Sequence, residues 1–140
     1  MGNRRKSREI AIQILYQFEM NASDVDDGVK LFFAEHVHPA EIADFAEFLV
    51  RGVCENRAAI DRRISGASEN WSFERINPVD LGILRAAVFE FLFCAEIPYR
   101  VTLNEAIEMG KKFSSEKSSA FINGVLDSIV AKEPQLKQKQ

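Results

Sequence analysis

The sequence NPVDLGILRAAVFEFLFCA, residues 77–95, decides the fold class of this chain. Asn77 is a favourable N-cap residue, and Pro78 suits the first helical position because its missing N–H would have no partner there. The rest of the stretch is apolar almost all round and carries only three charged residues, Asp80, Arg85 and Glu90. A helix that is apolar on every side is buried. We therefore predict a central helix from Pro78 to about residue 95, in which Arg85 pairs with one of the two carboxylates.

Helical spacing of apolar residues also precedes this stretch. From about Ser7 to Met20 the chain predicts one helix with a narrow polar stripe, and a shorter helix is expected to end near His36. Pro39 fits the first position of a third helix, whose apolar stripe runs from Ile42 to Val53 and extends toward Ile64. The segment 65–70 is the clearest loop.

Two more helices are predicted after Pro98. Thr102-Leu-Asn-Glu105 matches a capping box, so Tyr99–Val101 is expected to be extended and the helix to begin at Thr102. In FINGVLD, residues 121–127, the Asn-Gly pair could form a hairpin turn. Apolar residues recur every three to four positions around it, which favours a helix capped by Ser118 or Ser119.

The length and composition fit one soluble domain spanning residues 1–140. The chain is 46% hydrophobic and 28% charged, and no alternating apolar segment or internal repeat interrupts the helical pattern. It has no apolar run of 18 residues and no apolar leader, and its two cysteines are isolated, which indicates a cytoplasmic protein with free thiols. We predict an all-α, single-domain bundle of about six or seven helices, with a flexible tail from about residue 134 to residue 140.

Charge is distributed unevenly along the chain. Four cations, Arg4, Arg5, Lys6 and Arg8, occupy the first eight residues, whereas the other 132 residues hold 14 basic and 21 acidic ones. An acidic protein with a basic arm, residues 1–8, presents one local positive surface suited to a phosphate chain. A solvated leader that aids solubility is the alternative interpretation of the same charges.

The sequence contains no specific catalytic or metal-binding pattern. It has no phosphate-binding glycine loop, no dinucleotide motif and no serine nucleophile motif. His36 and His38 lie two residues apart, whereas helical ligands are usually three or four apart, and no third ligand follows. We expect a protein that is not an enzyme and has no metal and no cofactor.

Tyr16 is the aromatic residue with the most informative position. Eleven residues separate it from Arg5, so on a helix that begins early enough the two lie within about 20° of each other. Cations beside an aromatic ring suit single-stranded nucleic acid, because phosphates bind the cations and bases stack on the ring. Tyr16 as a core residue is an equal alternative.

Four segments together identify a family resemblance. RRKSREIAIQILYQFEM, VDLGILRAAVFEF, IPYRVTLNEAIEMGKKF and FINGVLD occur in the order found in the NusB transcription antitermination factors, and Asn70-Trp71 also falls where that family often has it. The resemblance covers nearly the whole chain. It implies an all-helical domain that binds the single-stranded boxA element of nascent RNA together with the ribosomal protein NusE.

The resemblance also implies roles for particular residues of this sequence. The arginine-rich motif maps to Arg4, Arg5, Lys6 and Arg8, expected to contact phosphates. Tyr16 and Phe121 fall at aromatic positions near the RNA, and Asp80 falls at an acid that reads a base edge. Lys117 stands where relatives often carry an acid, which favours the RNA backbone and puts a base contact there in doubt.

The implied function is that of a cytoplasmic, non-catalytic adaptor in the antitermination complex of RNA polymerase, promoting ribosomal RNA transcription. Members occur as monomers and as homodimers, so the oligomeric state stays open. A NusB-like domain also precedes some RNA methyltransferases, but this sequence has no glycine-rich cofactor loop. The alternative from a different class is a helical protein-interaction scaffold or homodimerisation module without specific RNA binding.

Overall fold

The computed structural model describes residues 2–21, 23–68 and 72–139. These residues form seven α-helices and no strand, which confirms the all-α prediction. The helices are α1 (Gly2–Met20), α2 (Val25–Glu35), α3 (Ala40–Glu55), α4 (Arg57–Ala67), α5 (Pro78–Phe93), α6 (Tyr99–Phe113) and α7 (Glu116–Lys132), with 3-10 turns at Phe73–Arg75 and Pro134–Gln138. None of these helices is long and apolar enough to cross a membrane.

The central position of α5 is confirmed. It packs against α1, α3, α4, α6 and α7, and every residue from Asp80 to Phe91 is buried. Its start is as predicted: the Asn77 side chain accepts a hydrogen bond from the Asp80 N–H at 2.9 Å, and Pro78 takes the first helical position. Around it, α1 packs along α3 and α6 packs along α7.

The prediction of where α6 begins is wrong by one turn. The helix starts at Tyr99 behind Pro98, so Tyr99–Val101 is helical and Thr102 is no cap. The Thr102 hydroxyl is buried and donates to Glu90 Oε1 at 2.7 Å. A hydrogen bond to a buried carboxylate is stronger than one to a backbone N–H, so the tertiary partner decides the role of this side chain.

The N-terminus of α7 also lies earlier than predicted. Ser115 caps this helix, because its hydroxyl accepts from the Ser118 N–H at 3.0 Å. Neither Ser118 nor Ser119 is the cap; Ser119 instead donates to the carbonyl of Ile107 on α6. FINGVLD lies within α7, as the apolar spacing predicted.

The apolar stripe from Ile42 to Ile64 belongs to two helices rather than one. Asn56 lies between the two helices, and its side-chain amide donates to the Gly52 carbonyl at 2.8 Å. An asparagine that bonds its own backbone competes with helix continuation. In the predicted loop 65–70, residues 65–67 still belong to α4, while Asn70-Trp71 lies outside the described residues.

Within the described residues, the first and last segments both belong to helical elements. The predicted basic arm is the first part of α1, which begins at Gly2. In the segment predicted as a flexible tail, Leu136 is buried, and Lys139 Nζ donates to the carbonyls of Glu90 and Phe91 at 2.9 and 3.1 Å. Those carbonyls belong to the last turn of α5, where a cation interacts favourably with the negative end of the helix dipole.

The predicted partner of Arg85 is also wrong. Its guanidinium pairs with Asp61 of α4 and Glu19 of α1 at 2.9 and 3.0 Å, not with a carboxylate of its own helix. Glu90 instead pairs with Arg8 of α1, and Asp80 accepts from the side chain of Asn77 at the start of its own helix.

Candidate nucleic-acid interface

Three of the four N-terminal cations lie on the exposed side of α1. Arg4, Arg5 and Lys6 are exposed, and the Arg4 guanidinium lies 3.9 Å from the centre of the Phe45 ring. Arg5 binds Glu105 of α6 through two hydrogen bonds of 3.0 and 2.7 Å. This contact holds the pKa of the Glu105 carboxyl below its usual value. The first turns of α1 therefore present cations at its surface.

Arg8 lies in the interior, unlike the other three. It is 5% exposed, and its Nε and Nη2 atoms donate to the buried carboxylate of Glu90 at 2.7 and 3.0 Å. The same carboxylate accepts from Thr102, so three side chains from α1, α5 and α6 form one network. Two of the three guanidinium nitrogens of Arg8 are therefore engaged by Glu90.

A seam between α1 and α6 contains two cavities. One, of about 420 Å³, lies between the start of α1 and the start of α6. Its lining includes Arg4, Arg5 and Arg8 with Glu105 and the apolar Val101. The side chains are cationic on the α1 side, and on the α6 side they are apolar except for Glu105. A strand with charged phosphates and apolar sugar and base faces fits such a lining.

The second cavity of this seam is the larger, at about 520 Å³. It is lined by Lys6, Gln13 and Tyr16 of α1 and by Lys112 and Phe113 of α6. The Tyr16 ring is 40% exposed and the Phe113 ring 42% exposed, so the structure rules out Tyr16 as a core residue. Two accessible rings flanked by two lysines are suited to base stacking and phosphate binding.

A third cavity, of about 190 Å³, lies where α5 and α7 begin. Its lining includes Arg75, Asp80, Lys117, Ser118 and Phe121. Asp80 is 4% exposed; one carboxylate oxygen, Oδ2, accepts from the Asn77 amide at 3.0 Å. Among the described residues the other oxygen, Oδ1, is buried and has no hydrogen-bond partner.

An unpaired buried carboxylate oxygen is costly, and at a functional site it suits a ligand that supplies the missing donor. The exocyclic amino groups of bases are such donors. Lys117 and Ser118 beside it carry donor groups for neighbouring acceptors on the same ligand. This cavity can therefore distinguish hydrogen-bonding edges, whereas the seam offers cations and rings.

The structure brings the predicted site residues to these cavities, although Arg8 lines the first cavity as a buried side chain paired with Glu90. Arg4 and Arg5 line the first cavity, Lys6 and Tyr16 the second, and Asp80, Lys117 and Phe121 the third. Sequence reasoning missed Phe113, Lys112 and Arg75. The lysine pair before Phe113 in the segment GKKF was the available signal, but its place in the cavity of Tyr16 depends on how α1 and α6 both pack on α5.

Comparisons with known proteins identify the family. The family model described as the NusB family matches residues 5–131. This chain belongs to the NusB family. The transcription antitermination protein NusB of Geobacter sulfurreducens is 49% identical over 96% of this chain and 98% of its own length. That of Syntrophus aciditrophicus is 45% identical over 94% of this chain and 82% of its own.

Solved NusB structures share the fold. T. maritima NusB has a TM-score of 0.84 and 36% identity, covering 98% of this chain and 97% of that one. A complex of the antitermination factors NusB and NusE with double-stranded RNA contains a chain of the same fold, with a TM-score of 0.85 and 24% identity over 94% and 98% of the two chains. The relatives are named for transcription antitermination, a regulatory rather than catalytic role, in agreement with the expectation of a non-enzyme.

Proposed function

We propose that this chain binds single-stranded boxA RNA together with NusE and acts as an adaptor in the antitermination complex of RNA polymerase that promotes ribosomal RNA transcription. The observation that carries the proposal is the position of Asp80. Asp80, whose buried Oδ1 is unpaired, lines the cavity of Lys117 and Phe121, and the adjacent residue Val79 lines the cavity of Lys6 and Tyr16. A base-reading group thus lies beside the cations and rings.

The phosphate contacts in this proposal come from Arg4, Arg5, Lys6 and Lys117. All four are exposed, whereas the rest of the chain is acidic, so an RNA strand is attracted to this surface. Arg8 acts through Glu90 as a positioning residue for the first turns of α1. Phosphate contacts carry no sequence information, so they supply affinity rather than discrimination.

The base contacts come from Tyr16 and Phe121 by stacking and from Asp80 by hydrogen bonding. Stacking is tolerant of base identity, and Asp80 is a single reading residue. We therefore expect only modest preference for boxA over unrelated single strands when the protein is alone. NusE docked beside the same strand adds contacts and fixes the register, and a homodimer that covers α1 would prevent RNA binding.

The experiment is a titration of fluorescently labelled boxA RNA and of a scrambled RNA, each with and without NusE, at several salt concentrations. We expect log K against log salt to slope by about −2 to −3, for roughly three to four phosphates neutralised on a single strand. We expect NusE to tighten boxA binding by a coupling of about 1–3 kcal/mol, and RNA to tighten NusE binding by the same factor.

A matched pair of variants identifies the surface. Lys6→Ala is expected to weaken binding of both RNAs and to reduce the salt slope by about 0.7. Arg62→Ala removes an equally exposed cation from α4, outside the three cavities, and is expected to leave the affinity unchanged. If both variants bind like wild type, this surface is not the RNA site. If NusE changes neither affinity, the adaptor mechanism fails and an RNA-binding protein that acts alone replaces it. If neither RNA binds, the protein-interaction scaffold is the function that remains.

A further inference from the structure

Two ion pairs cross the seam between α1 and α6, and the proposed function gives no role to three of their residues, Glu9, Glu105 and Lys112. Arg5 Nη2 of α1 lies 2.7 Å from Glu105 Oε2 of α6, and Lys112 Nζ of α6 lies 2.9 Å from Glu9 Oε2 of α1. The pairs are oriented in opposite directions, so each helix contributes one cation and one anion. The helices are therefore connected by side chains across the two cavities.

Both pairs have the same asymmetry of exposure. The cationic side chains are 56% exposed for Arg5 and 61% for Lys112, whereas the acids are 16% exposed for Glu105 and 14% for Glu9. Each carboxylate is thus recessed in the seam and its cation lies outermost. A phosphate that approaches the seam therefore meets a cation that already forms an ion pair with a more buried carboxylate.

We infer that Glu9 and Glu105 compete with RNA phosphates for Arg5 and Lys112. In the free protein the two carboxylates bind these cations, and this competition sets the affinity and salt dependence of RNA binding. The inference rests on the proposed function, because it concerns the same cations. A carboxylate and a phosphate oxygen compete for the same guanidinium or ammonium donors. Since exposed ion pairs contribute little stability, RNA can displace them at small cost.

The geometry fixes the sign of the effect. Glu105 accepts from both Nε and Nη2 of Arg5, which leaves mainly Nη1 for another acceptor. A phosphate bound there lies within several ångströms of the Glu105 carboxylate, and two negative charges at about 6 Å repel each other noticeably even in a high effective dielectric. Removing the acid's charge is therefore expected to strengthen RNA binding, whereas an acid that served only to orient Arg5 would weaken binding when removed.

The test compares Glu105→Gln and Glu9→Gln with Glu55→Gln, which removes the same charge from an exposed position on α3 outside the cavities. Each of the first two is expected to bind boxA RNA and scrambled RNA about three- to tenfold more tightly than wild type. The gain is the same for both RNAs because phosphate contacts are independent of sequence. The salt slope is expected to steepen by about 0.7, as one more phosphate is effectively neutralised. Glu55→Gln is expected to match wild type.

Two results would overturn the inference: weaker or unchanged binding by both seam variants, with wild-type thermal unfolding, or an equal gain in Glu55→Gln. Failure of the proposed function gives a different result, in which wild type binds neither RNA. In that case the double variant Glu9→Gln/Glu105→Gln is still expected to bind both RNAs through its released cations. Absence of such binding would overturn the inference as well.

Discussion

Arg8 belongs to the basic cluster in the sequence but to the interior in the structure. Its two hydrogen bonds neutralise Glu90, which is 2% exposed, at a point where α1, α5 and α6 meet. Removing one partner of such a pair leaves an uncompensated buried charge. Loss of Arg8 is therefore expected to lower the stability of the fold. Replacing all four cations of the cluster by alanine would change both the stability and the RNA affinity, so the two effects could not be separated.

We expect Arg8→Ala to lower the free energy of unfolding by about 3–5 kcal/mol. Urea unfolding followed by circular dichroism measures the change. Arg4→Ala is the matched control, since that guanidinium is exposed over the Phe45 ring, and it is expected to cost less than about 1 kcal/mol. Equal stability of the two variants would show that the Glu90 pair contributes nothing to the fold.

Asp80 combines a local structural role with a free acceptor. Its N–H and its Oδ2 atom both bind Asn77, and only Oδ1 is unpaired. We expect Asp80→Asn to change the free energy of unfolding by less than about 1 kcal/mol, because the cap residue Asn77 is retained. The same variant is expected to bind boxA RNA about tenfold more weakly, through loss of a hydrogen bond to a charged group.

Parallel unfolding and RNA titrations measure the two effects of Asp80→Asn. Asp127→Asn is the control, because it removes an exposed carboxylate from α7 that lines none of the three cavities. Wild-type affinity in Asp80→Asn, with an intact fold, would remove Asp80 from the set of base-reading residues.

At the scale of helices, α3 packs closely on α5 at Gly52, where the chain has no Cβ atom. A Cβ atom at Gly52 of α3 would overlap the ring of Phe89 on α5. Glycine within a helix costs up to about 1 kcal/mol relative to alanine, so its presence here reflects packing rather than helix formation. By contrast, a Cβ atom at Gly66, near the end of α4, would have nothing within 4 Å of it.

We expect Gly52→Ala to destabilise the protein by about 1–3 kcal/mol, since the Phe89 ring or the helix must move. Gly66→Ala is expected to stabilise it by about 0.5 kcal/mol through reduced freedom of the unfolded chain. Thermal unfolding of both variants measures the contrast. A stabilising Gly52→Ala would show that α3 and α5 are not closely packed at this point.

At the scale of the whole molecule, the C-terminal segment closes the end of the central helix. Leu136 is buried, and Lys139 donates to the last carbonyls of α5, where burial lowers the pKa of its ammonium group. We expect truncation after Glu133 to lower the free energy of unfolding by about 2–4 kcal/mol, comparable to the loss of one buried leucine.

Calorimetry of the truncated and full chains measures this loss, and Lys137→Ala, at an exposed position of the same segment, controls for the loss of charge. An unchanged melting temperature would support the flexible tail that the polar composition of residues 134–140 suggested. RNA affinity at low temperature is expected to stay unchanged, because the segment lines none of the three cavities.

The sequence alone determined the features that depend on neighbours a few residues away. Apolar spacing predicted the helices, the all-round apolar stretch after Asn77 predicted that α5 is central, and the Asn77-Pro78 pair placed its first residue. The spacing of Arg5 and Tyr16 put them on one strip of α1. Their cavities in the seam agree with that placement. These predictions hold because helix periodicity and capping are local interactions.

Only the tertiary structure decided which charges are paired and which are presented to a ligand. Arg5 meets Glu105, Arg8 meets Glu90, and Arg85 meets Asp61 and Glu19, in each case across separate helices. Arg8 and Arg5 look alike in the sequence, yet Arg8 is buried and Arg5 is exposed. Partners so far apart in the chain are chosen by how helices pack around α5, and a pattern that spans a few residues contains no information about that packing.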